Sequence, residues 1–357
     1  MSWEYLKFKA FVTLQRGFDL PKSQMQKGEV PVIGSNCIIG FHNIAKIEPP
    51  GVVTGRSGTL GLVQYIAIPY WPHNTALWVK DFKGNNPRFV YYKLKILHLE
   101  KFNGGVSVPT LNRNVLDNLL VKICDNGTQK RIGHILSAYD DLIENNRRRI
   151  QLLEQSAQLL YREWFVHLRF PGHEHVKIID GIPEGWEMRK VKNMLAKVNR
   201  PRKIKKADFL DDGPIPCVDQ SRDFIGGYTD DEETIVDEGK PMIVFGDHTR
   251  ILKFVDFPFA CGADGTQLIV ANEDAISQEY LYFALDAIDL SNYFYARHFK
   301  FLKDQYISRP SDILLTQFTM NARPTMKQIK SLREQNYQLS KARDLLLPRL
   351  MKGEIAV

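Results

Sequence analysis

Two stretches of this chain repeat apolar side chains in alternating steps of four and three over unusual lengths, and that pattern limits what the rest can fold into. In the stretch containing LIENNRRRIQLLEQSAQLLYREWF the steps pick out Ile132, Leu136, Tyr139, Ile143, Asn146, Ile150, Leu153, Ala157, Leu160 and Trp164. In the stretch ending LREQNYQLSKARDLLLPRLMKGEI they pick out Phe318, Ala322, Thr325, Ile329, Leu332, Asn336, Leu339, Arg343, Leu346 and Leu350. A repeat of 3.5 residues held this long is a coiled-coil seam rather than the stripe of a surface helix. A helix over 130–164 spans roughly 50 Å at 1.5 Å per residue. Pro324 is expected to break or kink the second helix, and Leu347-Pro348 to end or bend it. Each seam carries one asparagine, Asn146 and Asn336. In an antiparallel pair the two amides meet and fix the register, which spares each the cost of burial without a partner.

The chain also repeats itself on a larger scale. Trp3-Glu4 returns as Trp186-Glu187, Pro31 as Pro216 and Asn146 as Asn336, while NPRFVYYKL is echoed by SQEYLYFAL. The shared order of these pairs marks two diverged copies of one plan. Within each copy, short β-branched and aromatic runs read as strands: VPVIG, GVVTG, LGLVQYIAI and TALWVK, then PMIVFG, ILKFV and TQLIVA. RFVYYKLKIL and QEYLYFALDAI read as short helices packed on them. The expected fold is therefore α/β in the mixed α+β sense: two similar globular domains separated by two long antiparallel coiled-coil helices, with pseudo-twofold symmetry. The boundaries fall at 1–128, 129–170, 171–310 and 311–357.

Charge is distributed unevenly over those segments. Residues 1–128 hold 15 basic and 8 acidic residues, whereas 171–310 hold 18 basic and 24 acidic ones, a net of +7 against −6. The two helical segments add +2 and +4. A polyanionic partner suits the first segment directly and the third only where its positive charge is concentrated. Nowhere do the roughly 20 uninterrupted apolar residues of a membrane span occur. MSWEYLKFKAF lacks the layout of a signal peptide, so no membrane partner and a cytoplasmic location are expected. Cys37, Cys124, Cys217 and Cys261 show no CxxC spacing, which argues against a zinc module and a disulfide framework. There is no Asn/Asp-Pro-Pro-Tyr/Phe motif, no Gly-rich cofactor loop and no Walker motif. Asp219, Glu238 and Lys240 match a nuclease D…ExK spacing only as chance does.

Two similar domains at the ends of an antiparallel helix pair share the local twofold symmetry of duplex DNA, and the helices would act as a ruler between two half-sites. At this point the sequence resembles a known family. TQKRIGHILSAYDDLIENNRRRIQLLEQSAQLLYREWFVHLRFPGHE looks like the central conserved region of type I restriction-modification specificity (S) subunits. IPEGWE looks like the opening of their target-recognition domains, and RHFKFLKDQYISRP with NYQLSKARDLLLPRLMKGEI looks like their distal end. The resemblance implies a non-enzymatic subunit that reads a split target on double-stranded DNA. It would bind two methyltransferase subunits and, through the complex, restriction subunits. S-adenosylmethionine for adenine methylation and ATP for translocation and cleavage belong to those partners, so no cofactor or metal is expected on this chain. The rival expectation is a coiled-coil adaptor that binds proteins and not DNA.

The candidate DNA contacts lie in loops. In the first domain they are Arg56 in the glycine-flanked TGRSGTLG, then Lys101, Ser107, Thr110, Asn112 and Arg113 in KFNGGVSVPTLNR, where Asn112 is equally placed to cap a helix. His42 is a weaker candidate. In the second domain RPRKIKK concentrates Arg200, Arg202, Lys203, Lys205 and Lys206. FGDHTR contributes His248 and Arg250 beside Asp247. YARHFKFLK contributes Arg297, His298, Lys300 and Lys303, with Phe299 and Phe301 as core. Arg147, Arg148 and Arg149 splay over different helix faces.

Overall fold

The computed structural model describes residues 3–105, 107–263, 265–272, 275–293 and 297–357. In chain order, β1 (Trp3–Lys7), a single turn α1 (Phe8–Phe11) and β2 (Thr13–Arg16) open the chain. There follow β3 (Val30–Ile33), β4 (Ile38–His42), β5 (Gly51–Gly55), β6 (Val63–Ile66), β7 (Trp71–Pro72) and β8 (Ala76–Asp81). Next come α2 (Pro87–Ile96), α3 (Arg113–Leu116), β9 (Leu120–Cys124) and the long α4 (Asn126–Tyr161). The second half holds a small ribbon of β10 (Ile178–Ile179) and β11 (Ile182–Pro183), then β12 (Glu187–Lys190), β13 (Ile215–Val218), β14 (Gly227–Thr229) and β15 (Ile235–Val236). It continues with β16 (Met242–Gly246), β17 (Leu252–Val255), β18 (Phe259–Cys261) and β19 (Thr266–Ile269). It ends with α5 (Gln278–Asp286), α6 (His298–Asp304), β20 (Tyr306–Arg309) and the long α7 (Asp312–Lys352). The chain divides into two compact units, one of Met1–Asn146 with Gln335–Val357 and one of Arg147–Glu334.

In the first unit, sheets of order β2-β8-β5-β6 and β4-β3-β7 are joined by the ribbon β1-β9. All five residues of β5 are buried, as befits a β-branched central strand. α2 starts where the sequence supplies both start signals. The Asn86 side chain accepts from the Phe89 amide, and Pro87 fills the first helical position. The helix buries Phe89, Val90, Tyr92 and Leu94 in the core. The second unit follows the same plan. β3 pairs antiparallel with β4 and parallel with β7, and β13 pairs antiparallel with β14 and parallel with β18. β5 is flanked antiparallel by β6 and β8, and β16 by β17 and β19. The β1-β9 ribbon has its counterpart in β12-β20. Ser277 caps α5 by accepting from Tyr280, as Asn86 caps α2.

Each short helix is tied to a long one through its second residue. Arg88 of α2 pairs with Asp141 of α4 at 3.2 Å, and Glu279 of α5 pairs with Arg323 of α7 at 2.6 Å. The charge order is reversed between the two.

Within the first unit, Arg343 of α7 donates to Asp140 of α4 at 2.5 Å, and Asn146 donates to Gln335 at 3.5 Å. The partner's number falls as the α4 number rises, so the helices meet in opposite senses there. The second unit repeats this, with Glu154 on Arg333 at 2.7 Å and Tyr161 against Phe318 at 5.9 Å between ring centres. None of the twenty seam residues is exposed. The seam nevertheless departs from expectation in three places. The two asparagines do not form the contact: Asn146 reaches Gln335 instead, and the amide oxygens of Asn146 and Asn336 are both buried without a partner. α7 continues through Pro324 and Pro348. The carbonyls those prolines leave without a helical donor belong to Met320 and Asp344, residues on the exposed side of the helix, where an unpaired carbonyl is not buried. Finally, a π-helical stretch at Arg162–Val166 turns the end of α4, so that Tyr161 and Phe165 are buried more deeply than the seam residues Leu160 and Trp164.

The end of α7 is held by the first unit. Lys93 donates to the Met351 carbonyl at 3.1 Å and Lys122 to the Lys352 carbonyl at 2.9 Å, which satisfies two of the orphan acceptors at that helix terminus. Gly353 follows in the left-handed region at φ 76° and presses on the Trp3 indole, where any side chain would overlap.

Candidate nucleic-acid interface

β5 delivers Arg56 to the mouth of a cleft of about 870 Å³, where β2 contributes Gln15 and Arg16, β8 contributes Lys80, and the start of α3 contributes Thr110, Asn112 and Arg113. Four of the sequence candidates are thus brought together, along with Arg16, Lys80 and Asp19, which the linear sequence did not mark. Only the pairing of β2 with β8 places those three beside Arg56. Hydrogen bonds hold the wall. Arg56 Nε donates to the Asn74 carbonyl at 2.9 Å, and Arg113 Nη1 donates to the Leu14 carbonyl at 3.2 Å. Asn112 caps α3 by accepting from Asn114. Arg16 Nη2 donates to both oxygens of Asp19, at 3.1 and 3.4 Å, and the Asn74 side chain donates to the same carboxylate. The Asn74 amide above all, with Arg16 adding to it, holds the Asp19 carboxyl below its ordinary value, so it stays ionised. Lys101 and Ser107 are exposed but outside the cleft lining.

The second unit forms a cleft at the same place in its own topology. His248 and Asp247 follow β16 as Arg56 follows β5, while Gln267 lies on β19 and Arg297, Lys300 and Lys303 lie at and in α6. The cleft measures about 540 Å³. Arg200 donates to the Gln267 side chain at 3.4 Å, and Lys203 donates to the Thr266 carbonyl, so part of the basic run reaches this cleft. Gln267 was missed in the sequence for the same reason as Arg16. The segment preceding Arg297 in YARHFKFLK lies outside the described residues.

Other candidates are placed elsewhere. Arg202 pairs with Asp231, Lys205 is exposed, and Lys206 lines a separate hollow with Phe209 and Tyr228. Arg250 donates to the Leu290 carbonyl at 2.9 Å. His298 is buried, its ring nitrogens 2.7 Å from the Asp247 carbonyl and 2.9 Å from the Tyr293 carbonyl. The Asp247 side chain accepts from the Phe299 amide at 2.7 Å, so Asp247 and His298 fix the α6 start rather than form a reactive pair. His42 is likewise buried, accepting from the Gln26 amide. Phe299 and Phe301 pack half-buried against the core.

Asp219 is fixed by Ser221 and by Lys253, whose ammonium is 3.7 Å away. Burial pushes its carboxyl up, and the Ser221 hydrogen bonds with the Lys253 charge outweigh that, for a net lowering. Among the described residues no group of His, Cys, Asp and Glu is placed to hold a metal ion. None of the described helices is long and apolar enough to cross a membrane.

Residues 2–155 match the family described as the type I restriction modification DNA specificity domain. The chain is similar to the type I restriction enzyme MjaIX specificity subunit of Methanocaldococcus jannaschii, with 24% identity over 347 residues that cover 87% of this chain and 79% of that one. It is also similar to a type I restriction enzyme specificity subunit of Escherichia coli, with 28% identity over 116 residues that cover 31% of this chain and 28% of that one. The crystal structure of the type I restriction-modification S subunit from M. genitalium has the same fold, with a TM-score of 0.64 at 16% identity over 98% of this chain and 96% of that one. With its twice-built plan and two basic clefts, the chain is thus similar in sequence and in fold to the specificity subunits of type I restriction-modification systems.

Proposed function

We propose that this chain is the DNA-reading subunit of a type I restriction-modification complex and that each cleft takes one half of a split target. The single observation that carries this reading is the repetition: a cleft lined by Arg and Lys, with a side-chain amide among them, stands at the same topological place in both units. Phosphate contacts need the cations, and base edges need the amides and guanidinium groups. In this reading the recognition segments are 1–128 and 171–310, related by a pseudo-twofold axis. The helical segments 129–170 and 311–357 form an antiparallel coiled coil that sets the spacer and docks two methyltransferase subunits, through which restriction subunits join. α4 alone, at 36 residues, is about 54 Å long, between one and two turns of duplex. The chain itself performs no chemistry and binds no cofactor: S-adenosylmethionine and ATP are taken by the partners.

A salt titration of duplex binding, with the methyltransferase partner present, tests this. The affinity should fall steeply with salt, and replacing Arg297, Lys300 and Lys303 together by Ala should flatten the slope by up to about three contacts. A salt-independent complex would instead favour a protein adaptor.

A further inference from the structure

We propose that Arg16 reads a guanine edge in the first cleft and that Asp19 holds it in the reading pose. The inference rests on the cleft being a DNA surface and assigns one side chain within it. Three arginines line this cleft, and two have guanidinium nitrogens engaged by backbone carbonyls, Arg56 on Asn74 and Arg113 on Leu14. Arg16 is anchored differently. One nitrogen, Nη2, is shared between both Asp19 oxygens, and no protein partner engages Nε or Nη1 among the described residues. With one Nη2 hydrogen turned to Asp19, the other stands beside an N–H of an unengaged neighbouring nitrogen, and these two parallel donors make the fork that matches O6 and N7 of guanine.

Asp19 itself argues for a base rather than a phosphate. It is exposed and ionised, and a phosphate drawn to Arg16 would meet that carboxylate as a like charge. A base edge carries no net charge, and the cytosine amino group opposite the guanine is a donor that suits the lone pairs Asp19 has left. The buttress is built into the wall: Asn74 gives its carbonyl to Arg56 and its side-chain amide to Asp19.

The experiment uses the full chain in complex with its methyltransferase subunits and a pool of random-sequence duplexes, with the bound fraction sequenced. The unsubstituted complex should enrich a two-part motif with guanine at one position that Arg16→Gln releases. The preference there should drop roughly 5- to 150-fold, with other positions and the salt slope unchanged. Arg16→Lys, which keeps the charge and loses the fork, should release the same position, and Asp19→Asn should weaken it less. A two-part motif that survives Arg16→Gln, or a uniform loss at all sequences with a shallower salt slope, overturns the assignment while leaving the DNA-reading function intact. No enrichment by the unsubstituted complex overturns both.

Discussion

Trp3 opens β1 and Trp186 immediately precedes its counterpart β12, yet the surroundings of the two indoles have nothing chemical in common. Trp3 lies beneath two ammonium groups, Lys93 at 5.9 Å and Lys122 at 5.3 Å, and against the Gly353 backbone. Trp186 lies in a nest of rings, with Phe170 at 5.0 Å and Phe165 at 5.8 Å, and Phe165 in turn meets Tyr280 at 5.0 Å and Phe318 at 5.2 Å. One plan thus receives its helix end through lysine donors on bare carbonyls, and the other through packed aromatics. The fold requires that the terminus be held and leaves the means open.

The comparison breaks most visibly at Phe165. Its truncation to Ala opens a cavity among rings and should cost about 3–5 kcal/mol. Amide exchange followed by mass spectrometry should show protection lost in 147–334 and kept in the first unit. Equal loss in both would mean that the units are not separately stabilised.

A smaller effect should appear in the first unit, with pH. Burial brings the Lys93 amine down to about 8 from its usual 10.5, so the folded state disfavours the ammonium. Stability from this group is missing below pH 8 and returns as pH rises toward 10.5. The Cys124 thiol, pushed up to about 11 by burial, subtracts from it once pH exceeds 9. The net gain is therefore confined to pH 8–9 and amounts to about 1 kcal/mol. Melting curves across that interval should rise for the natural chain and run flat for Lys93→Met. An unchanged slope in the variant would show that the lysine is not what distinguishes this unit.

The smallest change concerns Asn146, whose one hydrogen bond is long and whose amide oxygen is buried without a partner. Asn146→Leu should stabilise the first unit by about 1 kcal/mol or less, read as a higher melting midpoint. A lower midpoint would give the amide a positive role in holding the helices together.

Much of this was open to a reader of the sequence, because period and composition report burial directly. The 4-3 seam, the β-branched runs at Gly51–Gly55 and Met242–Gly246, and the caps before Pro87 and Gln278 each follow from local chemistry. What stayed hidden depends on contacts distant in the chain. Lys93 is 258 residues from the carbonyl it serves, and Arg16 becomes a cleft residue only when β2 pairs with β8. The π-turn at Arg162–Val166 changes the period where a strict heptad count cannot follow, and α7 absorbs its prolines because the freed carbonyls face solvent. Of the basic residues proposed for DNA, Arg56 and Arg113 line one cleft and Arg297, Lys300 and Lys303 the other, whereas Arg250 and His298 lie outside both linings on backbone carbonyls that no spacing announces.

Two near-copies on one ribosome product invite misassembly, since each short helix emerges able to dock on either long partner. The opposed ion pairs bear on this. Arg88 seeks Asp141, Glu279 seeks Arg323, and either exchange sets like charges face to face. With Glu279 sealed from solvent, a wrong docking would bury it without its counter-ion, a penalty the observed pairing avoids. The opposed pairs thus set charge, and not shape alone, against an exchanged docking.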